Sequence, residues 1–281
     1  MVLEHEIPKG SRLYFGKSAK KKREIEYKVS NLLDELGFEE IVTPNFSYSQ
    51  HQSIEDNKKL ITFSDTQNQN LALRADSTLD VVRIITKRLG RTTKHKKWFY
   101  VQPIFTYSSN EDYQIGCEWI NHDNIVDILN LTSNILKHLD VNPILQLSNI
   151  NIPRLVAIEL DINVDLFKNG EIAELMALNV SWLNDLIKVQ HISDLENMIC
   201  KVPASIKVEL EKLLDTANNI EYKNLVIAPL YHGSLKYYDD VYYRVIQDNL
   251  TICKGGRYSA DGISSLGFAF YTDSLIKILE D

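Results

Sequence analysis

The residues from Trp98 to Glu118 constrain the fold of this chain more than any other stretch. They run Trp-Phe-Tyr-Val-Gln-Pro-Ile-Phe-Thr-Tyr, then a polar turn Ser108-Ser-Asn-Glu-Asp112, then Tyr-Gln-Ile-Gly-Cys-Glu. Two apolar, aromatic-rich runs joined by a short polar loop predict a strand, a turn and a strand. Alternate residues of a strand share a face, so Gln114, Gly116 and Glu118 project together. An amide and a carboxylate then converge on one side of the second strand, with no side chain between them. The bland alternative is a polar strand face turned to solvent.

The flanking pattern mixes helical and strand periods. Residues 18–37 predict a helix capped by Ser18, with Ile25, Val29, Leu32, Leu33 and Leu36 as its apolar stripe and Gly37 as its end. Phe38 to Pro44 reads as a short strand ended by proline, which cannot donate to a ladder. Ile61 to Phe63 and Leu71 to Arg74 read as strands, and Thr78 to Leu89 as an amphipathic helix. Asn124 to Leu139 predicts a helix and Leu155 to Leu160 a strand. From Asn163 to Asn219 the pattern is helical, over Glu171–Leu178, Trp182–Lys188 and Pro203–Ala217. Leu225–Pro229, Tyr237–Ile246, Leu250–Cys253 and Leu266–Phe270 read as strands, and Thr272–Leu279 as a closing helix. The sum predicts an α+β fold: a mainly antiparallel sheet with flanking helices and a helical insertion at about 165–220.

Composition excludes some functions. No apolar run approaches the roughly 20 residues of a membrane helix, and the N-terminus has no signal-peptide pattern. Cys117, Cys200 and Cys253 lie far apart, which argues against zinc or a disulfide framework and suits buried free thiols in a reducing cytoplasm. The seven histidines show no metal spacing, and no phosphate loop or nucleophile elbow is present. The net charge of −7 argues against a long polyanion as partner. Two basic clusters, Lys17–Arg23 and Lys87–Lys97, read as solvated helix ends or as the margin of a phosphate-rich partner.

Six blocks, in one order, resemble the histidyl-tRNA synthetases of class II. Glu39-Glu-Ile-Val-Thr-Pro44 resembles motif 1, whose proline sits at a dimer interface. Leu73-Arg-Ala-Asp-Ser-Thr78 resembles Leu-Arg-Pro-Glu-Gly-Thr. The hairpin resembles motif 2, with Tyr113-Gln-Ile-Gly-Cys-Glu118 as its Gln-x-Gly-x-Glu strand. Ser234-Leu-Lys-Tyr-Tyr238 resembles Arg-Gly-Leu-Asp-Tyr-Tyr, Lys254-Gly-Gly-Arg-Tyr258 resembles Ala-Gly-Gly-Arg-Tyr, and Gly267-Phe-Ala-Phe270 resembles the strand before motif 3. The resemblance implies a single catalytic-core-like domain over residues 1–281, without the family's anticodon-binding domain.

The departures carry the functional expectation. Where the family has activation arginines, the resemblance places Thr106, Gly233 and Ser274. Adenylate formation needs fixed cations against the developing phosphate charge, and Thr, Gly or Ser cannot supply a guanidinium. Losing one such donor costs roughly 100- to 1,000-fold in rate, so synthetase activity is expected to be lost, with no catalytic residue and no cofactor. The amino-acid pocket is retained: the resemblance places Asp76, Thr78 and Gln114 around a histidine ammonium group, and Glu118, Tyr238 and Tyr258 near its imidazole. A carboxylate suits an ammonium by charge-assisted hydrogen bonding, and a carboxylate with phenols can fix both ring nitrogens.

A synthetase-like core of this kind is similar to the regulatory-subunit branch of the family. Those paralogues serve the short-form catalytic subunit of ATP phosphoribosyltransferase. The resemblance then implies a cytoplasmic, non-catalytic subunit that activates that partner and mediates histidine feedback in the first step of histidine biosynthesis. It implies a hetero-octamer, a self-dimer through the motif 1 region, histidine as ligand, and neither membrane nor nucleic acid as partner. The alternatives are a free-standing class II paralogue that activates or binds an amino acid for a non-tRNA acceptor, and a tRNA-binding module using the basic clusters.

Overall fold

In the computed structural model, which describes residues 6–51, 57–233, 238–260 and 262–280, helix α1 (Gly16–Glu35) starts two residues before the expected cap. Ser18 sits in its first turn, where its hydroxyl accepts from the Phe15 N–H (3.2 Å) and donates to the Phe15 carbonyl (3.0 Å). Ile25, Val29 and Leu33 form the buried stripe, four residues apart, whereas Leu36 lies past the helix end and is exposed. The lysines of the first basic cluster pair with acids of the same helix, Lys20 and Lys21 with Glu24 and Lys22 with Glu26. These are the i, i+3 and i, i+4 pairs of a solvated helix face.

Strand β1 is only Glu39–Glu40 and pairs parallel with the first hairpin strand, Glu39 opposite Trp98. The expected strand to Pro44 is cut short because side chains claim the backbone beyond it. Gln102 accepts from the Thr43 N–H, and Arg74 donates to the carbonyls of Thr43 and Pro44. Strands β2 (Phe46–Tyr48), β3 (Thr62–Ser64) and β4 (Asn70–Leu73) form a small antiparallel sheet in the order β2–β4–β3. Helix α2 (Ser77–Arg83) continues as a π-helical turn over Ile84–Leu89.

The hairpin has the shape that its sequence predicts. Strands β5 (Lys97–Thr106) and β6 (Asn110–Ile120) pair antiparallel from Lys97 opposite Trp119 to Thr106 opposite Asn110.

Helix α3 (Ile125–His138) follows, with the Asn124 side chain accepting from the Val126 N–H at its start. The next elements correct the sequence reading. Strand β7 is Ile144–Asn149, and the expected strand at Leu155–Leu160 falls in helix α4 (Asn151–Glu159). The apolar run there fits either period. Ile152, Pro153, Val156 and Ala157 are buried at helical spacing, and Pro153 lies in the first turn, where its missing N–H costs nothing.

Five helices then match the expected helical stretch: α5 (Asp165–Lys168), α6 (Ile172–Ala177), α7 (Ser181–Leu186), α8 (Ile192–Met198) and α9 (Ala204–Asn218). Strand β8 (Leu225–Ile227) runs parallel to β7. Strand β9 (Tyr238–Gln247) pairs antiparallel with β7 and with β10 (Leu250–Ala260), and β9 and β10 join through an Asp248-Asn249 turn. Lys254–Tyr258 is therefore strand rather than turn. Strand β11 (Ile263–Tyr271) and helix α10 (Thr272–Glu280) end the chain.

The described chain divides into two compact units. The first holds the segment up to His122 and the segment from Ala260, with strand order β1–β5–β6–β11. The second spans Asp123–Ser259, with strand order β10–β9–β7–β8. The mixed, mainly antiparallel strands and flanking helices make the fold α+β. Cys117 and Cys253 are buried, whereas Cys200 is exposed, against the expectation that all three would be inside. Among the described residues no helix is long and apolar enough to cross a membrane.

Candidate functional site

In the first unit, register places the polar residues on one sheet face. Tyr100 lies opposite Gly116, Gln102 opposite Gln114, and Trp98 opposite Glu118. Gly267 of β11 lies opposite Glu118 on its other side. Directly paired residues share a face, so the predicted Gln114–Gly116–Glu118 row is real. Both polar groups are buried, Gln114 at 6% exposure and Glu118 at 0%. A solvent-facing strand is excluded.

The space between them is not empty as the sequence suggests. A Cβ at position 116 would lie 2.1 Å from Tyr100 Cζ and 2.2 Å from its hydroxyl oxygen. Gly116 thus leaves the slot that the Tyr100 phenol fills, and that hydroxyl lies 3.4 Å from Glu118 Oε1 as donor. Gly267 does the same on the other side, since a Cβ there would meet Glu118 Oε2 at 2.2 Å. The Glu118 carboxylate is therefore seated between a glycine and a phenol. Gly116→Ala is expected to lower stability by about 1–3 kcal/mol, because the added methyl overpacks a fully buried ring. A urea melt checks this, and an unchanged midpoint would refute the packing.

Asp76 and Thr78 enter from α2. Asp76 caps that helix, accepting from the Leu79 N–H at 3.2 Å, and Thr78 is buried in the first turn. Behind them Arg74 is completely buried. Its guanidinium donates to the carbonyls of Thr43 (3.0 Å), Pro44 (3.1 Å) and Pro103 (2.7 and 3.0 Å), to the Thr43 hydroxyl (2.9 Å) and to Asn45 Oδ1 (3.0 Å). Thr43 in turn donates through its hydroxyl to Gln102 Oε1 at 3.1 Å.

In the second unit, Tyr238 and Tyr258 are directly opposed across β9 and β10, both buried. Tyr238 stacks on Tyr242, with ring centroids 5.6 Å apart. Gly256 lies opposite Tyr242, and a Cβ at 256 would come within 2.6 Å of Tyr242 Cβ. Gly256 thus serves close strand contact. Ser234 to Tyr237, the rest of that resembling block, lie outside the described residues.

The three positions where the resemblance expects arginine are occupied as follows. Thr106 ends β5 opposite Asn110 and is half-buried. Ser274 is half-buried in the first turn of α10, beside Asp273, which accepts from the Tyr14 hydroxyl at 2.8 Å and pairs with Arg12 at 3.3 Å. Burial, and then Asp273, push the Tyr14 phenol up from its ordinary range. Gly233 is buried, and a Cβ there would meet the Tyr242 ring at 2.8 Å. Tyr242 is held by donating to the Tyr231 carbonyl at 2.5 Å, so position 233 has no room for an arginine while that ring stays.

The alternation predicts that Gln114 and Glu118 share a strand face, as they do, whereas the pairing of Tyr238 with Tyr258 is not foreseen by it. Sequence reasoning missed Tyr100, Gln102, Arg74 and Gly267. The alternation of β5 could have revealed Tyr100 and Gln102, because the short turn fixes which residues face Gly116 and Gln114.

The fold defines the class first. Residues 14–275 match the histidyl-tRNA synthetase family. The chain superposes on the crystal structure of an ATP phosphoribosyltransferase regulatory subunit/histidyl-tRNA synthetase from Bacillus halodurans C, with a TM-score of 0.85 at 18% identity, over 99% of this chain and 84% of that one. Closer sequence relatives narrow the class. An ATP phosphoribosyltransferase regulatory subunit from Wolinella succinogenes is 44% identical over 99% of this chain and 96% of its own length. One from Helicobacter hepaticus is 39% identical over 99% of both. A histidine–tRNA ligase from Methanococcus aeolicus is only 24% identical, over 98% of this chain and 76% of its own length. The chain belongs to the ATP phosphoribosyltransferase regulatory-subunit family. That membership favours a regulatory, non-catalytic role over a free-standing synthetase paralogue.

Proposed function

We propose that this chain binds the short catalytic subunit of ATP phosphoribosyltransferase, activates it, and conveys histidine feedback to the first step of histidine biosynthesis in the cytoplasm. One observation carries the reading beyond family membership. The buried carboxylate and amide of Glu118 and Gln114 are kept on one face, while positions 106, 233 and 274 carry no cation. Asp76, Thr78 and Gln114 are the groups for an ammonium, and Glu118, Tyr238 and Tyr258 those for an imidazole. Histidine then acts by coupling: it binds one state of the assembly better and shifts the population toward it. The whole chain serves as one synthetase-like core. The motif 1 region supplies a self-dimer, in keeping with an apolar side chain, Val42, left 76% exposed beside the edge strand β1. The complete assembly is a hetero-octamer.

Mixing the chain with a short catalytic subunit tests this. The expected result is co-elution, faster phosphoribosyl transfer and inhibition by histidine. No co-elution with no change in rate would overturn it. Histidine-dependent exchange between pyrophosphate and ATP by the purified chain is expected to be flat, and measurable exchange would restore the synthetase reading.

A further inference from the structure

Three strands of the second unit bring a row of polar side chains into register, none of them a residue assigned above to the histidine pocket. Lys254 of β10 lies directly opposite Arg244 of β9, and Arg244 directly opposite Gln146 of β7. Gln146 Oε1 accepts from Arg244 Nε at 3.2 Å and from Nη2 at 2.9 Å. Arg244 Nη1 donates to the Tyr231 hydroxyl at 3.1 Å, and the guanidinium carbon lies 4.0 Å from the centre of that ring. Every one of these partners is neutral, and two guanidinium N–H groups are left for another acceptor.

Among the described residues no acidic side chain pairs with this row. Among the described residues neither Arg244 nor Lys254 forms an ion pair, and Lys254 donates no hydrogen bond. Gln146 is 7% exposed, and its Nε2 is a buried donor without an acceptor among the described residues. Burial, and then the neighbouring Arg244, hold the Lys254 ammonium below its ordinary range. Arg244 and Lys254 are both half-buried. Two like charges side by side and partly removed from water repel, and each loses hydration, so an anion between them offsets both costs.

Lys254 and Arg244 line one crevice with Tyr231, Gly233, Tyr238, Tyr242 and Tyr243, and its free volume is about 10 Å³. That is room for about one water. It therefore admits one oxygen atom of a charged group and leaves the remainder of the ligand outside.

We propose that this row is a binding site for a small oxyanion, a carboxylate or phosphate group held between Lys254 and Arg244, with Gln146 fixing the guanidinium. The site does not depend on histidine binding at Glu118. The shared chemistry has two sources, a free phosphate or the carboxylate of a small metabolite, and the test separates them.

The full chain is titrated calorimetrically at constant ionic strength with inorganic phosphate, acetate, L-histidine and histamine. One saturable site per chain is expected for phosphate or acetate, weakened tenfold or more by Lys254→Met, which keeps the length of the side chain. Gln146→Leu keeps both charges and is expected to weaken binding severalfold, so it decides the matter if the lysine variant does not fold. Phosphate binding without acetate binding assigns a phosphate. Histidine that competes with acetate, where histamine does not, assigns the carboxylate of the amino acid. No saturable binding of either anion to the unaltered chain, or equal affinities in the unaltered chain and the folded variants, overturns the site. A chain that co-elutes with its catalytic partner yet binds no anion loses this site and keeps the regulatory reading.

Discussion

Arg74→Met is expected to lower the unfolding free energy by about 3–5 kcal/mol, more than any other single change at the site. The guanidinium is fully buried and makes six hydrogen bonds, four of them to main-chain carbonyl oxygens. Those carbonyls belong to Thr43, Pro44 and Pro103, so the guanidinium ties the segment after β1 to strand β5. Each buried acceptor left without a donor costs about 1–3 kcal/mol, and removing the buried charge returns part of that. Burial lowers the affinity of this arginine for its proton, yet a guanidinium stays charged at neutral pH. Arg74→Lys keeps the charge, but a lysine has three donors in place of a planar fork, so it is expected to recover less than half of the loss. Urea melts of the three proteins read this directly as midpoint shifts at constant slope. A loss under about 1 kcal/mol in the methionine variant would mean that water replaces the guanidinium.

The same arginine shows where reading the sequence stopped. Periodicity placed the hairpin, α1, α3, α9, β8, β9 and the start of β10, because in each the apolar period and the turn residues agree, but it did not reveal β7. It failed at Leu155–Leu160, where an apolar run suits strand and helix alike and only tertiary packing decides. It overextended the strand at Phe38–Pro44, because the hydrogen bonds that end it come from Arg74 and Gln102, far away in the chain. The resemblance placed Glu118 and Gln114, but not the phenol between them. Tyr100 reaches its slot from the neighbouring strand, through the gap left by Gly116, and a single strand's alternation cannot show that.

The packing itself disfavours an arginine at position 233. At position 233 an arginine would collide with Tyr242, whose ring is locked by its bond to Tyr231 and by stacking on Tyr238. Gly233→Arg is therefore expected to displace the Tyr242 ring and lower stability, because an added Cβ at 233 meets that ring at 2.8 Å.

Glu118→Gln is expected to raise the histidine concentration needed for half-inhibition of the reconstituted complex by roughly 10- to 100-fold, the equivalent of one charge-assisted hydrogen bond. The amide has the same shape, so it fits between Gly267 and Tyr100 without the overpacking that Gly116→Ala introduces. What it lacks is the charge that favours a protonated imidazole or a donating ring N–H. Gln114 lies two pairs along the same strand face, so Gln114→Leu is expected to act on the ammonium end and to weaken inhibition independently. Direct titration of histidine into the chain alone separates binding here from binding on the partner. If the variant complex is inhibited at the same histidine concentration as the unaltered one, within threefold, the pocket around Glu118 is a structural remnant and the feedback signal enters elsewhere. If instead the chain alone binds histidine and Glu118→Gln abolishes that binding, then the second strand of the hairpin, Tyr113 to Glu118, is where the effector is read. Nothing in the reading then requires the arginines that positions 106, 233 and 274 no longer carry.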